Sequence, residues 1–144
     1  RGDEGMWAAE EGFDQGAKEE AAILVVDDSS FFREQIRRFL EEEGYRTRIA
    51  TDGMQALKTL EAHPEDTALV ITDIEMPHLD GLGLTAQIRA DARFAGLPVI
   101  AVTSLAGEED QQRGLEAGVD EYLTKLDREK ILSAVHHHLE RCSS

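Results

Sequence analysis

The chain has little of what commonly staples, anchors or charges a protein. Its single cysteine, Cys142, lies two residues from the end, which leaves no internal disulfide and no thiolate metal site. No apolar run approaches the roughly 18 residues of a membrane span, and no charged-then-apolar leader opens the chain. The expectation is a soluble, cytoplasmic protein with no direct membrane insertion. Basic residues are scarce: 15 Lys and Arg face 30 Asp and Glu, a formal net charge of -15. Phosphate backbones and anionic head groups would repel such a chain, so nucleic acid is not an expected partner. No GxGxxG or Walker loop is present, which argues against dinucleotide or nucleoside triphosphate binding, and no internal repeat is visible.

What is there suits one compact domain. A length of 144 residues with 41% hydrophobic content is near the usual domain size and too apolar for a disordered polyanion. Residues 1–22 hold two basic and seven acidic residues, a net of -5, with four glycines. They read as an acidic linker or mobile tail, on which Met6, Trp7 or Phe13 offer the only docking points. The chain does not begin with Met, so a piece of something longer is expected. The folded domain is assigned to 23–141 and a short tail to 142–144.

Within that domain, short apolar runs alternate with amphipathic segments. Ile23 to Val26 is a β-branched-rich run closing on Asp27 and Asp28, as a strand buried on both faces should be. Phe32, Ile36, Phe39 and Leu40 then fall on one helical stripe that Gly44 is placed to end. Arg46 to Ala50 gives a second strand, and Ala56, Leu57 and Leu60 a second helix stopping near Pro64. Leu69 to Thr72 gives a third strand closing on Asp73, and Leu84 with Ile88 a third helix. A fourth strand is expected at Val99 to Val102 and a fourth helix over Glu108 to Ala117. Glu121 to Thr124 reads as a fifth strand, and Ile131, Leu132, Val135 and Leu139 mark a fifth helix. This alternation predicts an α/β fold: a flavodoxin-like, doubly wound, five-stranded parallel sheet with helices on both faces.

In such sheets ligands bind at the carboxyl ends of the strands. There the sequence puts Asp27 and Asp28, Asp73, Thr103 and Lys125. Three carboxylates brought together repel by roughly 4 kcal/mol per close pair at an effective dielectric of about 20. A hard divalent cation such as Mg²⁺, which takes oxygen ligands and keeps several waters, offsets that repulsion. Lys125 adds a second positive charge and Thr103 a hydroxyl donor. An aspartate so surrounded can attack a phosphoryl group and carry it as an acyl phosphate.

Residues 23–141 resemble the receiver domain of two-component signalling, the CheY-like response-regulator fold. The motifs that carry the likeness are Ile23-Leu-Val-Val-Asp-Asp-Ser-Ser, Asp52-Gly-Met-Gln-Ala-Leu, Ile71-Thr-Asp-Ile-Glu-Met-Pro-His-Leu-Asp-Gly81, Pro98-Val-Ile-Ala-Val-Thr103 and Ala117-Gly-Val-Asp-Glu-Tyr-Leu-Thr-Lys125. The resemblance implies that Asp73 is the phosphoacceptor, taking its phosphoryl group from a phosphohistidine of a histidine kinase or its phosphotransfer domain. It implies further that Asp27, Asp28, Asp73 and the backbone carbonyl of Glu75 hold Mg²⁺, and that Thr103 and Lys125 bind the phosphoryl oxygens. Tyr122 is implied as the aromatic that couples with Thr103 to report phosphorylation; from the residues alone it is a half-buried edge-strand side chain. A downstream signalling protein would meet the face made by the fourth helix, fifth strand and fifth helix. No enzyme is expected in this fragment beyond self-phosphorylation and autodephosphorylation.

One departure concerns Lys125. Receivers usually follow that lysine with a cis-linked proline, and here Leu126 and Asp127 follow. A non-proline cis bond costs about 3 kcal/mol, so either a re-routed trans loop or a strained cis bond is expected. The acidic tail together with the stretch from Tyr122 to Ile131 resembles receivers fused to the C-terminus of CheA-type chemotaxis kinases; a CheW-like fusion or a free-standing regulator would look similar. With no DNA-binding effector domain in the chain, output through protein contacts is expected.

Other readings stay open. The chain could be a degenerate receiver serving as a phosphorylation-independent docking module, or an aspartate-nucleophile phosphatase, although those enzymes want Asp-x-Asp where this chain has Asp73-Ile74-Glu75. Glu75 is read either as a rim carboxylate modulating water entry or as an inert solvated side chain. His136, His137 and His138 point about 100° apart on a helix, cannot share one ion, and are expected at the surface. His63 and His78 are expected as solvent-facing loop residues.

Overall fold

The computed structural model describes residues 21–76, 78–103, 108–125 and 127–143. The segments read from the sequence are realised in order: β1 (Ala22–Val26), α1 (Ser30–Glu42), β2 (Arg46–Ala50), α2 (Gly53–Ala62), β3 (Thr67–Asp73), α3 (Gly81–Ala90), β4 (Val99–Thr103), α4 (Glu108–Ala117), β5 (Glu121–Thr124) and α5 (Arg128–Ser143). All strand pairs are parallel and the sheet order is β2-β1-β3-β4-β5. The acidic tail through residue 20, with Met6, Trp7 and Phe13, and the peptide into Leu126 lie outside the described residues. The helix α5 runs on through Cys142.

Strand side chains alternate between two cores, as a period of two requires. Leu24, Val26, Val70, Val99 and Ala101 pack with Ala56 and Leu60 of α2 and Leu84 and Ile88 of α3. Ile23, Val25, Leu69, Ile71, Ile100 and Val102 point the other way, onto Ile36 and Leu40 of α1 and Ile131 and Val135 of α5. The central strands are therefore covered on both faces, which is why they read as continuous apolar runs. Truncating a fully buried Leu24 or Ile71 to alanine would cost about 2–5 kcal/mol.

The helices that leave the carboxyl edge are started by side chains. Asp52 accepts from the Gln55 N–H at 2.8 Å to cap α2, Asp80 accepts from Gly83 at 2.7 Å to cap α3, and Ser29 caps α1 through a longer 3.5 Å contact with the Phe32 N–H. Gly44, at φ 91°, follows the end of α1 in the left-handed conformation that glycine takes without strain.

Candidate functional site

Register brings the acidic strand ends together. Val26 of β1 pairs with Thr72 of β3, so Asp27 emerges beside Asp73. Asp73 in turn pairs with Val102 of β4, one residue before Thr103, and the Lys125 N–H donates to the Thr103 carbonyl at 2.8 Å. Oxygens of Asp27, Asp28 and Asp73 all lie within 4.8 Å of one another. Lys125 Nζ reaches into the cluster, 3.0 Å from Asp27 Oδ2 and 3.3 Å from Asp73 Oδ1.

Burial makes this charge arrangement consequential. Asp27 is fully buried and Asp73 is 5% exposed, while Asp28 stays open to solvent. Desolvation, and after it the neighbouring Asp27 carboxylate, push the Asp73 carboxyl up to about 6 from the ordinary 3.8. Lys125 and the Ile74 N–H, which donates to Asp73 Oδ1 at 2.8 Å, pull in the opposite direction and only partly offset the rise.

The pocket's walls hold these groups in place. Asp27 Oδ1 accepts from the Ser29 N–H at 2.9 Å, and Arg33 Nη1 donates to the Asp27 carbonyl at 2.8 Å. Gly81 opens α3 with its N–H on the Ile74 carbonyl at 2.8 Å, and a Cβ there would collide with the Asp73 carbonyl oxygen. The loop between β3 and α3 is clipped to α2: Gly53 N–H donates to the Leu79 carbonyl at 3.1 Å, and His78 Nδ1 lies 2.9 Å from Asp52 Oδ2.

The cluster suits a hard divalent cation. Oxygens of an octahedral Mg²⁺ site stand roughly 3 Å apart when adjacent and roughly 4.2 Å when opposite, and the three carboxylates offer oxygens that all lie within 4.8 Å of one another. Asp27 Oδ2 is buried and makes no aligned hydrogen bond despite its nearness to Lys125, so it has lone pairs free for a ligand.

The family profile of the response regulator receiver domain matches residues 23–136. The chain belongs to this family. Among curated relatives of the receiver, the sensor histidine kinase CheAY of Helicobacter pylori is 37% identical over 113 residues, which make up 78% of this chain and 14% of that protein. The chemotaxis protein CheY1 of the same organism is 39% identical over 111 residues, covering 76% of this chain and 89% of CheY1. The receiver thus spans about one seventh of the first relative and most of the second. Its fold matches the CheX-CheY-BeF3-Mg+2 complex from Borrelia burgdorferi at a TM-score of 0.74 and 30% identity, covering 80% of this chain and 86% of that one.

The remaining residues singled out in the sequence fall as follows. Thr103 is half-buried at the end of β4, and Glu75 is exposed at the rim. Tyr122 is half-buried against the core and lies so close to Gly114 of α4 that a Cβ there would come within 2.6 Å of the ring. His78 is 70% exposed but engaged with Asp52. His136 and His137 are exposed as expected, whereas His138 is a correction: it is 5% exposed, with Nε2 3.7 Å from Glu121 Oε1. It falls three residues after Val135 and seven after Ile131, on the inward stripe of α5, and that spacing was the available signal.

Two contributors escaped sequence reading. Arg33, one residue past Phe32 on α1, ties the helix to the Asp27 backbone. Phe32 was counted in the core stripe, yet its ring lies under Lys125, with Nζ 4.3 Å from the centroid. The signal for Phe32 was the doublet Phe31-Phe32 in the first turn after the acidic strand end, where a helix cannot turn both rings into the core.

Proposed function

We propose that this receiver accepts a phosphoryl group on Asp73 from a phosphohistidine of a histidine kinase or its phosphotransfer domain. The observation that carries the reading is the convergence of Asp27, Asp28, Asp73 and Lys125 in one partly dry pocket. One Asp73 carboxylate oxygen attacks phosphorus while the phosphorus–nitrogen bond breaks. The bonding pair stays on the departing imidazole nitrogen, which takes up one proton from water. In the metal-free pocket Asp73 is still mostly ionised at pH 7, so the attacking carboxylate is available.

Asp27, Asp28, Asp73 and the Glu75 carbonyl are the proposed holders of Mg²⁺. When bound, the ion offsets the carboxylate repulsion and polarises the phosphoryl oxygens. Lys125 Nζ and the Thr103 hydroxyl are assigned to the phosphoryl oxygens, and Tyr122 to the coupled switch. Output is assigned to the α4-β5-α5 face, where Tyr122 packs against Gly114. The division into an acidic linker (1–22) and a receiver (23–141), adjusted so that the domain takes in Ala22 at the start of β1 and Cys142 and Ser143 at the end of α5, and a cytoplasmic location complete the proposal. The likeness to CheAY and CheY1 supports a chemotaxis phosphorelay, with attachment to a CheA-type kinase as the finer reading. Lys125 already approaches both carboxylates without a following proline, which favours phosphoacceptance over a docking-only role.

Incubation with Mg²⁺ and acetyl phosphate, or with a phosphorylated kinase, should add one phosphoryl mass to the wild type and none to Asp73→Asn. Equal labelling of the two proteins would remove Asp73 from the reaction.

A further inference from the structure

The apolar stripe of α1 divides in the folded protein. Ile36 and Leu40 are fully buried in the core. Phe32 is only half-buried and, among the described residues, is not one of the side chains packed on that core. Its ring face meets the Lys125 ammonium instead, at 4.3 Å from the centroid.

That ring is fixed relative to the site. Phe31 packs edge-on against it, with centroids 5.3 Å apart and planes at 78°. The same helical turn is bound to Asp27 through the Ser29 N–H at 2.9 Å and Arg33 Nη1 at 2.8 Å. Phe32, Asp27 and Lys125 therefore form one unit at the start of α1.

The three contacts of the ammonium differ in kind. Asp27 and Asp73 are charges whose partners change when the pocket takes up a cation or a phosphoryl group. The ring's negative face does not change, and a cation over an aromatic face is held more strongly where water is excluded, as it is around this 8% exposed side chain. A lysine on a flexible four-carbon stem needs such a fixed contact to stay directed once its carboxylate partners are engaged elsewhere.

We propose that Phe32 is a positioning residue for Lys125. Its ring face keeps the ammonium at the pocket while Asp73 reacts, so labelling depends on the ring's electron density and not merely on its volume. This rests on the reading of Asp73 as phosphoacceptor.

Substitutions at one position separate charge–ring attraction from packing. Phe32→Leu keeps an apolar side chain without a π face, 3,4,5-trifluorophenylalanine keeps the shape but drains the face, and Phe32→Tyr keeps both. Labelling by acetyl phosphate with Mg²⁺ should slow by about 3- to 30-fold in the leucine and trifluoro proteins and stay near the wild-type rate in the tyrosine protein. Independently, NMR of the metal-free protein should show the Lys125 Hε protons shifted upfield by the ring, returning to ordinary values in Phe32→Leu. Wild-type labelling with an equally fast trifluoro protein would overturn the role of Phe32 while leaving Asp73 as acceptor. An unshifted Lys125 Hε in the wild type would overturn the contact. A shifted Hε in a wild-type protein that takes no label would overturn the acceptor reading, and the positioning role with it.

Discussion

Lys125 Nζ stands 3.0 Å from Asp27 Oδ2 in a pair largely shut off from water, at 8% and 0% exposure. An ion pair so placed is costly to break, because the remaining partner is left charged and desolvated. Lys125→Met should therefore destabilise the metal-free protein by about 3 kcal/mol in urea unfolding. The loss should shrink near pH 5, where Asp73 takes up a proton. Removing the ammonium also removes a competitor for the carboxylates, so calorimetric titration should show tighter Mg²⁺ binding in the variant.

Asp73 gives the metal-free protein a defined pH response. Its folded-state value of about 6 lies above the ordinary 3.8, so the folded state binds this proton more tightly than the unfolded chain does. The resulting stability is fully present below about pH 4 and is lost as pH rises through about 6. Asp73→Asn cannot lose it. Thermal melts in chelator should show the variant with a higher Tm than wild type at pH 7.5, the gap closing towards pH 4. A gap that widens on acidification would contradict the assignment.

Two glycines should behave oppositely. An alanine Cβ at Gly81 would collide with the Asp73 carbonyl oxygen and come within 3.0 Å of Ile74 Cα, and neither backbone can yield without moving the site. Gly81→Ala should cost about 3 kcal/mol or more and weaken Mg²⁺ binding. At Gly96 nothing lies within 4 Å and φ is not left-handed. Gly96→Ala should be neutral or stabilise by up to about 1 kcal/mol. Urea unfolding of both proteins checks the pair.

Arg89 provides a control remote from the pocket. From α3 its guanidinium donates to the carbonyls of Gly118 at 2.9 Å, Leu97 at 2.6 Å and Ala95 at 3.0 Å, and to Asp120 Oδ2 at 2.8 Å. The same Asp120 oxygen accepts from the Val99 N–H at 2.8 Å, so one fork joins the segments entering β4 and β5. Arg89→Ala should cost about 3 kcal/mol, and Arg89→Lys should recover less than half, since an ammonium cannot span that fork. Mg²⁺ affinity should remain within about twofold, because these contacts lie at the amino ends of the strands.

Much of the fold was legible because burial on two faces leaves a local mark. The runs at Ile23, Leu69 and Val99 are strands covered by helices on both sides, and the predicted fourth helix and fifth strand coincide with α4 and β5. The site residues were legible for a related reason: each directly follows or ends an apolar run, and a parallel sheet gathers those ends at one edge. His138 and Phe32 were misread because a stripe on a helical wheel says which residues share a face, and not how far along the helix the core extends. The core reaches past Val135 to cover His138 but ends short of Phe32.

The sequence by itself determined the order of elements, the parallel sheet and the acidic edge, since these follow from periodicity and from the handedness of the crossovers. Tertiary structure decided the energetics of that edge. Which carboxylate is buried, that Lys125 lies between two of them, and that Phe32 lies beneath the ammonium all depend on strand register and on the seating of α1. Those relationships join residues nearly 100 positions apart, and no local pattern encodes a distance of a few ångströms between them.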